Sequence, residues 1–254
     1  MNKLDAISRR RFLIGGGAAL GSLVLPGCNK TPLPPTYGSL LRMADNLTYL
    51  AQRTLLPGQS LAREYSREDI SSFPAIGAVS PGEPGTRGYS ELYRDLQKGG
   101  FADWRLSVEG AVDRPAAYSL ADLKRFPSRT QITRHTCEEG WTAIAEWTGV
   151  PLSRVLLASG MHRSACCVCF HTYDSSMVDS IDMLDALHPQ TLLAYGMNGR
   201  DLLIRHGAPL RLRVERQIGY KSRKYLQRIV VKDVFDDGGK NGVAAMGWAW
   251  YTGI

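Results

Sequence analysis

The chain has 254 residues, 44% of them hydrophobic and 22% charged, which suits one large folded domain and excludes a disordered or fibrous chain. Its formal charge is +7, but Lys3, Arg9, Arg10, Arg11 and Lys30 against Asp5 place +4 of this in residues 1–30 and leave +3 for the rest. With no other run of Lys or Arg, a phosphate-tracking groove is excluded, and nucleic acid is not an expected partner.

In chain order, Ser8-Arg9-Arg10-Arg11-Phe12-Leu13 with the uncharged run from Phe12 to Leu25 reads as a twin-arginine leader. The run has fourteen residues, short of the roughly 20 needed to span a bilayer. That route exports folded proteins, usually because a cofactor is inserted in the cytoplasm, so the leader points to a periplasmic cofactor enzyme. Leu25-Pro26-Gly27-Cys28 resembles a lipoprotein cleavage box, although proline before the glycine departs from the pattern. Two fates stay open: a lipid anchor on Cys28, or ordinary cleavage nearby.

Residues 31–37 form a Pro-rich linker, residues 39–56 have helical spacing, and residues 73–88 are too rich in proline and glycine for a regular element. The denser pattern begins at Trp104 with a strand, followed by a capped helix from Ser119 to about Phe126. Gln131 to Cys137 is extended and leads to a turn at Gly140. A short helix runs from Pro151 to Ala158, and a buried strand from Ala165 to Tyr173. Ser180 to Leu187 reads as a helix and Leu192 to Leu203 as a hairpin turning at Asn198-Gly199. Strands over 210–214 and 226–235 complete an α+β domain of mixed sheets with short helices. The expected division is 1–30 leader, 31–100 linker, helix and loop, and 101–254 core with a short C-terminal tail. GxGxxG and Walker loops are absent, so nucleotide folds lose support.

Cys166, Cys167 and Cys169 read mainly as strand filling; adjacent strand positions face opposite ways, so Cys166 and Cys167 are not expected to share a partner. Cys-Cys-x-Cys lacks the second ligand pair of a zinc site. Trp104, Trp141 and Trp147 read as core, and the aromatic tail GWAWYTGI is expected to pack on the domain or meet a partner.

Arg134-His135-Thr136-Cys137-Glu138-Glu139-Gly140-Trp141 is the segment where chemistry is expected. A cysteine ending an extended segment beside glycine and backbone donors is placed to be held as thiolate, a soft metal ligand. From the residues alone it also fits a buried structural cysteine, or a nucleophile with His135 or His171 as base.

Four ordered blocks carry a resemblance: ITRHTCEEGWTAIAEWTGVPLSRVL (132–156), FHTYDSS (170–176), LHPQTLLAYGMNGRDLLIRHGAPLRLRV (187–214), and the turn Tyr220 to Lys224 before KYLQRIVV. Together, over about 101–235, they resemble the sulfite-oxidase superfamily, especially the branch of the periplasmic methionine sulfoxide reductase catalytic subunit. The resemblance implies a molybdenum–molybdopterin cofactor with Cys137 as metal ligand and catalytic residue. It implies pterin contacts at Thr172, His206 and Arg211, a pterin-phosphate turn at Ser222, Arg223 and Lys224, and a supporting role for His135; Arg134 and His171 flank these blocks. A phosphate needs convergent donors and positive charge, which the turn supplies.

The activity implied is oxo transfer on a small-molecule substrate, with S-oxide reduction fed by a membrane cytochrome b type partner leading. Sulfite-type oxidation and a non-catalytic binding module are the alternatives. A monomer is expected. Eukaryotic-type sulfite oxidases continue into an immunoglobulin-like domain that has no counterpart here, and around Tyr89 to Tyr93 only a loose echo of the reductase branch's early pterin contacts is found.

Overall fold

The computed structural model describes residues 40–254 apart from 57, 59, 73–79, 87, 175–177 and 244–246. The chain divides into Met1–Thr31 and Pro32–Ile254, and the described residues all belong to the second unit. The expectations for the leader, for Cys28 and for the Pro-rich linker lie outside the described residues, as do Ser175 and Ser176 of the second block.

The helices are α1 (Leu40–Leu55), α2 (Glu91–Lys98), α3 (Leu120–Arg125), α4 (Leu152–Ala158) and α5 (Met183–Ala186). The strands are β1 (Leu106–Gly110), β2 (Ala116–Tyr118), β3 (Arg129–Thr136), β4 (Thr142–Pro151) and β5 (Cys167–Thr172). They continue with β6 (Asp179–Asp182), β7 (Leu192–Met197), β8 (Arg200–Asp201), β9 (Arg211–Arg213) and β10 (Leu226–Lys232). One five-stranded sheet runs β2-β1-β10-β5-β6, with β1 and β10 parallel and the other pairs antiparallel. The other runs β3-β4-β7-β8, with β9 also paired to β7, and is antiparallel throughout. This is the α+β arrangement of mixed sheets and short helices that the sequence predicts.

Local rules account for several elements. Ser119 Oγ accepts the Asp122 N–H at 3.1 Å while Asp122 Oδ2 accepts the Ser119 N–H at 3.0 Å, the capping box that starts α3. Asn198 and Gly199 both take positive φ, 51° and 75°, as a two-residue hairpin turn demands. The Asn198 side chain also accepts the Glu146 N–H at 2.9 Å, tying this hairpin to β4.

Alternation along the strands builds the core between the sheets. Val168 and Phe170 of β5, Ile229 and Val231 of β10, Val150 of β4, Leu193 of β7 and Leu212 of β9 join Leu123 and the α4 residues Leu152, Val155 and Leu156. Leu192 and Ala194 point the other way from β7, into a smaller cluster with Ala145, Trp147, Leu202 and Ala208. Both faces of the second sheet are therefore covered near the site described below.

Two expectations need correction. Residues 179–182 are a strand paired to β5, and helix begins only at Met183 because the Asp182 side chain caps the Asp185 N–H at 2.9 Å. The Cys166 and Cys167 sulfurs lie 3.9 Å apart, because Cys166 precedes the regular strand and escapes its alternation. Strand β4, by contrast, went unpredicted: Gly149 and Pro151 disguise it. A Cβ on Gly149 would sit 2.3 Å from the Leu193 carbonyl, at the bulge where the β4–β7 register shifts.

The aromatic tail packs on the domain. Trp250 Nε1 donates to Ser180 Oγ at 2.8 Å and the Tyr251 hydroxyl to Gln52 Oε1 at 2.8 Å.

Candidate active site

The β3–β4 hairpin ends in a tight loop that presents Cys137. The Cys137 N–H donates to the Trp141 carbonyl at 2.9 Å and the Gly140 N–H to the Cys137 carbonyl at 3.1 Å, with Gly140 at φ 88°. Opposite this loop stand β9 and the turn after the 3₁₀ segment Gly219–Lys221. Backbone bonds sew that turn along β9: the Leu212 N–H donates to the Arg223 carbonyl at 2.8 Å, and the Val214 N–H to Ser222 Oγ at 3.2 Å.

Arg211 fastens the parts together. It is 4% exposed, donates to the carbonyls of His206 at 3.0 Å and Ser222 at 3.1 Å, and lies 4.8 Å over the Trp147 ring. Arg213 holds His135 by donating to its Nδ1 at 2.7 Å, which leaves the imidazole proton on Nε2. Between the hairpin loop and the turn opens a cleft of about 260 Å³, lined by Cys137, His135, His206, Arg211, Ser222, Arg223 and Lys224.

Those seven are predicted site residues, drawn from three separated stretches of chain, and the fold brings them to one place. Thr172 is not on the cleft wall; it is buried on β5 with its hydroxyl lacking a partner among the described residues. Asp174, two residues on, lines the cleft instead. His171 faces away, into a separate depression beside Arg228 and Glu109, so it cannot serve Cys137 as base. Arg134 is exposed and does not line the cleft.

Reading by residue type missed several wall residues. Trp104 and Trp147 are core, as predicted, Trp147 also edging the cleft, whereas Trp141 lines it together with Glu138, Glu139, Tyr220 and Trp248. The one available signal was position: Glu138, Glu139 and Trp141 flank the singled-out cysteine, and Asp174 sits at a strand end inside a quoted block. Tyr93, from the loose echo, is buried: its hydroxyl donates to the Ala208 carbonyl at 2.6 Å, and its ring packs 5.3 Å from that of Tyr225.

Glu138, Glu139 and Asp174 also line the cleft, and it is the side of Arg211 and the basic turn that forms an anion cradle. Burial, then Arg213, pushes Arg211 down to about 9, and burial, then Arg211, pushes Lys224 down to about 7. Burial and the neighbouring cations hold His135 down to about 2, so it is a neutral ring. Cations crowded into a partly dry cleft are costly unless an anion joins them. The Cys137 thiol is pushed up to about 11 by burial, with Glu138 adding to the rise. This corrects the expectation that the protein alone holds a thiolate; a bound metal cation reverses that balance by deprotonating its thiol ligand.

The donor set fits a molybdopterin. Trp147 Nε1 and Arg211 Nε are buried donors, and Asp174 Oδ1 a buried acceptor, without partners among the described residues. A pterin offers ring acceptors and N–H donors for such atoms, its phosphate suits the cationic turn, and the thiol offers a soft metal ligand.

Comparison with known proteins agrees with this chemistry. Residues 95–238 match the oxidoreductase molybdopterin binding domain family. A putative protein-methionine-sulfoxide reductase subunit, YedZ1, of Azospira oryzae is 33% identical over 92% of this chain and 85% of its own. The protein-methionine-sulfoxide reductase catalytic subunit MsrP of Xanthomonas campestris pv. campestris is 35% identical over 89% of this chain and 70% of its own. Among solved structures, the sulfane dehydrogenase SoxCD of Paracoccus pantotrophus aligns with a TM-score of 0.51 and 26% identity, over 54% of this chain and 40% of that one. On the family match over residues 95–238 and the near full-length identity to these relatives, the chain belongs to the molybdopterin-binding oxidoreductase domain family and is an enzyme of that class.

Proposed function

We propose that this enzyme reduces an S-oxide by oxo transfer. The observation that carries the reading is the cleft that the Cys137 thiol shares with Arg211 of β9 and the basic turn of Ser222, Arg223 and Lys224. The relatives named for methionine sulfoxide reduction support the direction.

When bound, the molybdenum cofactor supplies a redox centre that exchanges an oxo group. The chain's own residues bind and orient it. Cys137 provides the protein thiolate, and the backbone bonds of its loop keep the sulfur in one place. Ser222, Arg223 and Lys224 receive the pterin phosphate, with Arg211 bracing that turn against the His206 segment. His135, fixed by Arg213 and uncharged, offers a ring N–H to the pterin, and Asp174 offers an acceptor. Thr172 supports this wall from behind. Net reduction of an S-oxide consumes two electrons and two protons and releases water.

The reading extends to the cell. The twin-arginine leader, residues 1–30, sends the folded enzyme to the periplasm; residues 31–100 lead into a core over 101–254. A membrane cytochrome b type subunit supplies electrons, and the catalytic subunit is a monomer. Among the described residues no helix is long and apolar enough to cross a membrane.

The test is turnover by the metal-loaded enzyme with a reduced dye as electron donor and methionine sulfoxide or dimethyl sulfoxide as acceptor. Dye oxidation that depends on the S-oxide supports the reading. Sulfite-dependent dye reduction with no S-oxide turnover overturns it in favour of an oxidase.

A further inference from the structure

Helix α1 turns its polar side inward. A surface helix normally buries its apolar stripe and exposes its charges. Here Arg53 points into the domain, its side chain 9% exposed, and its guanidinium bonds Asp182 at 2.8 Å and Asp185 at 2.7 Å. Tyr49 donates to the same Asp182 at 2.9 Å, and Asn46 is buried beside them. The outward stripe at i, i+4 spacing is Leu47, Ala51 and Leu55, with Leu47 66% and Leu55 77% exposed. Thr48 and Thr54 are the other exposed positions on that side, and neither carries charge.

The patch extends past the helix. Leu56 and Leu61 follow in the chain, and Leu184 and Leu187 adjoin from α5: a Cβ on Gly58 would touch Leu184 at 3.7 Å, and the Ser60 carbonyl meets His188 Nε2 at 3.0 Å. Of twelve exposed large apolar side chains among the described residues, six are these leucines of α1, of the segment that follows it and of the end of α5 that meets that segment. Patches of that kind mark an interaction surface.

We propose that this face rests on a lipid bilayer, with α1 lying in the interface. Its outward side offers leucine, alanine and threonine, which suit a fluid hydrocarbon boundary. Among the described positions that side shows none of the Trp, Tyr and Arg anchors that dominate protein interfaces. Leu40 follows Cys28 by twelve residues, a reach of at most about 40 Å when extended. An acylated Cys28 would therefore hold the helix at the membrane, and one acyl chain needs a second contact for stable binding. The inference rests on the export reading but not on the S-oxide activity.

The test uses full-length protein with phosphatidylethanolamine and phosphatidylglycerol vesicles. An environment-sensitive fluorophore is attached at Leu55→Cys or Leu47→Cys, with Leu157→Cys as the exposed control and the unsubstituted protein as blank for Cys28. The four cysteines among the described residues are buried, so the introduced thiols take the label. Expected is a blue shift on adding vesicles and several-fold stronger quenching by brominated acyl chains at positions 47 and 55 than at 157. Labels that stay water-exposed with vesicles present overturn the proposal. So does shielding that tracks protein concentration without vesicles and sediments as a dimer, which would assign the face to a second copy. The assay needs neither metal nor turnover, so its failure is distinct from failure of the S-oxide reading.

Discussion

Lys224→Met should stabilise the metal-free protein while damaging the holoenzyme. Burial, followed by Arg211, lowers the lysine from 10.5 to about 7. At 1.36 kcal/mol per pH unit, that gap bounds the cost of the partly buried ammonium at up to ~5 kcal/mol before solvent screening is discounted. Its bond to the Arg205 carbonyl at 3.0 Å recovers part, and side-chain relaxation recovers more. A gain of about 1–3 kcal/mol at pH 7 is therefore expected for the variant. Because the folded-state value lies below the unfolded one, the unfolded chain holds the extra proton between them, and wild-type stability rises as pH rises from 7 towards 10.5. The Cys137 thiol, raised from 9.0 to about 11, works the other way above pH 9, so the comparison belongs at pH 7 to 9. The assay is urea unfolding of metal-free protein, followed by tryptophan fluorescence, with and without pyrophosphate. Wild type should gain stability with pH and with the anion, and the variant with neither. A variant less stable than wild type at pH 7, beside a flat wild-type profile, would refute the anion cradle.

Two further substitutions probe the scaffold. In Gly219→Ala the new Cβ would lie 2.7 Å from the His135 ring and 2.9 Å from the Thr136 carbonyl; cofactor loading should fall about tenfold or more with an unchanged far-ultraviolet dichroism spectrum. Wild-type loading would show that the His135 wall yields. Arg53→Met strands Asp182 and Asp185 without their cation and should cost about 3–5 kcal/mol in urea unfolding; an unshifted midpoint would show that α1 does not depend on this pair.

Much of the fold could be read where a local rule decides the conformation. Ser119 with Asp122, Asn198 with Gly199, and the alternation of Cys167 to Thr172 all act within a few residues. β4 could not be read so, because its glycine serves a bulge against Leu193 on another strand. Ser180 and Ile181 resemble a helix start, yet pairing with β5 claims them for a sheet. The site divides the same way. Cys137, Arg211 and the Ser222–Lys224 turn sit in compact blocks with recognisable chemistry. Asp174, Trp147 and Trp248 become wall residues only when distant segments converge, and Thr172, read as a contact, is buried on β5 and does not line the cleft.

The central claim is that Cys137 and the basic turn hold a molybdenum–pterin group. Its most direct test is metal and pterin analysis of protein expressed with its own leader in a molybdate-supplied host, with Cys137→Ser alongside. The account predicts near-stoichiometric molybdenum with an oxidisable pterin in the wild type. In the variant it predicts the loss of oxo-transfer activity and of the protein thiolate's contribution to the metal's sulfur signature, the pterin's own sulfurs remaining, with an unfolding midpoint close to wild type. Wild-type protein free of both metal and pterin, or undiminished turnover by Cys137→Ser, would contradict it.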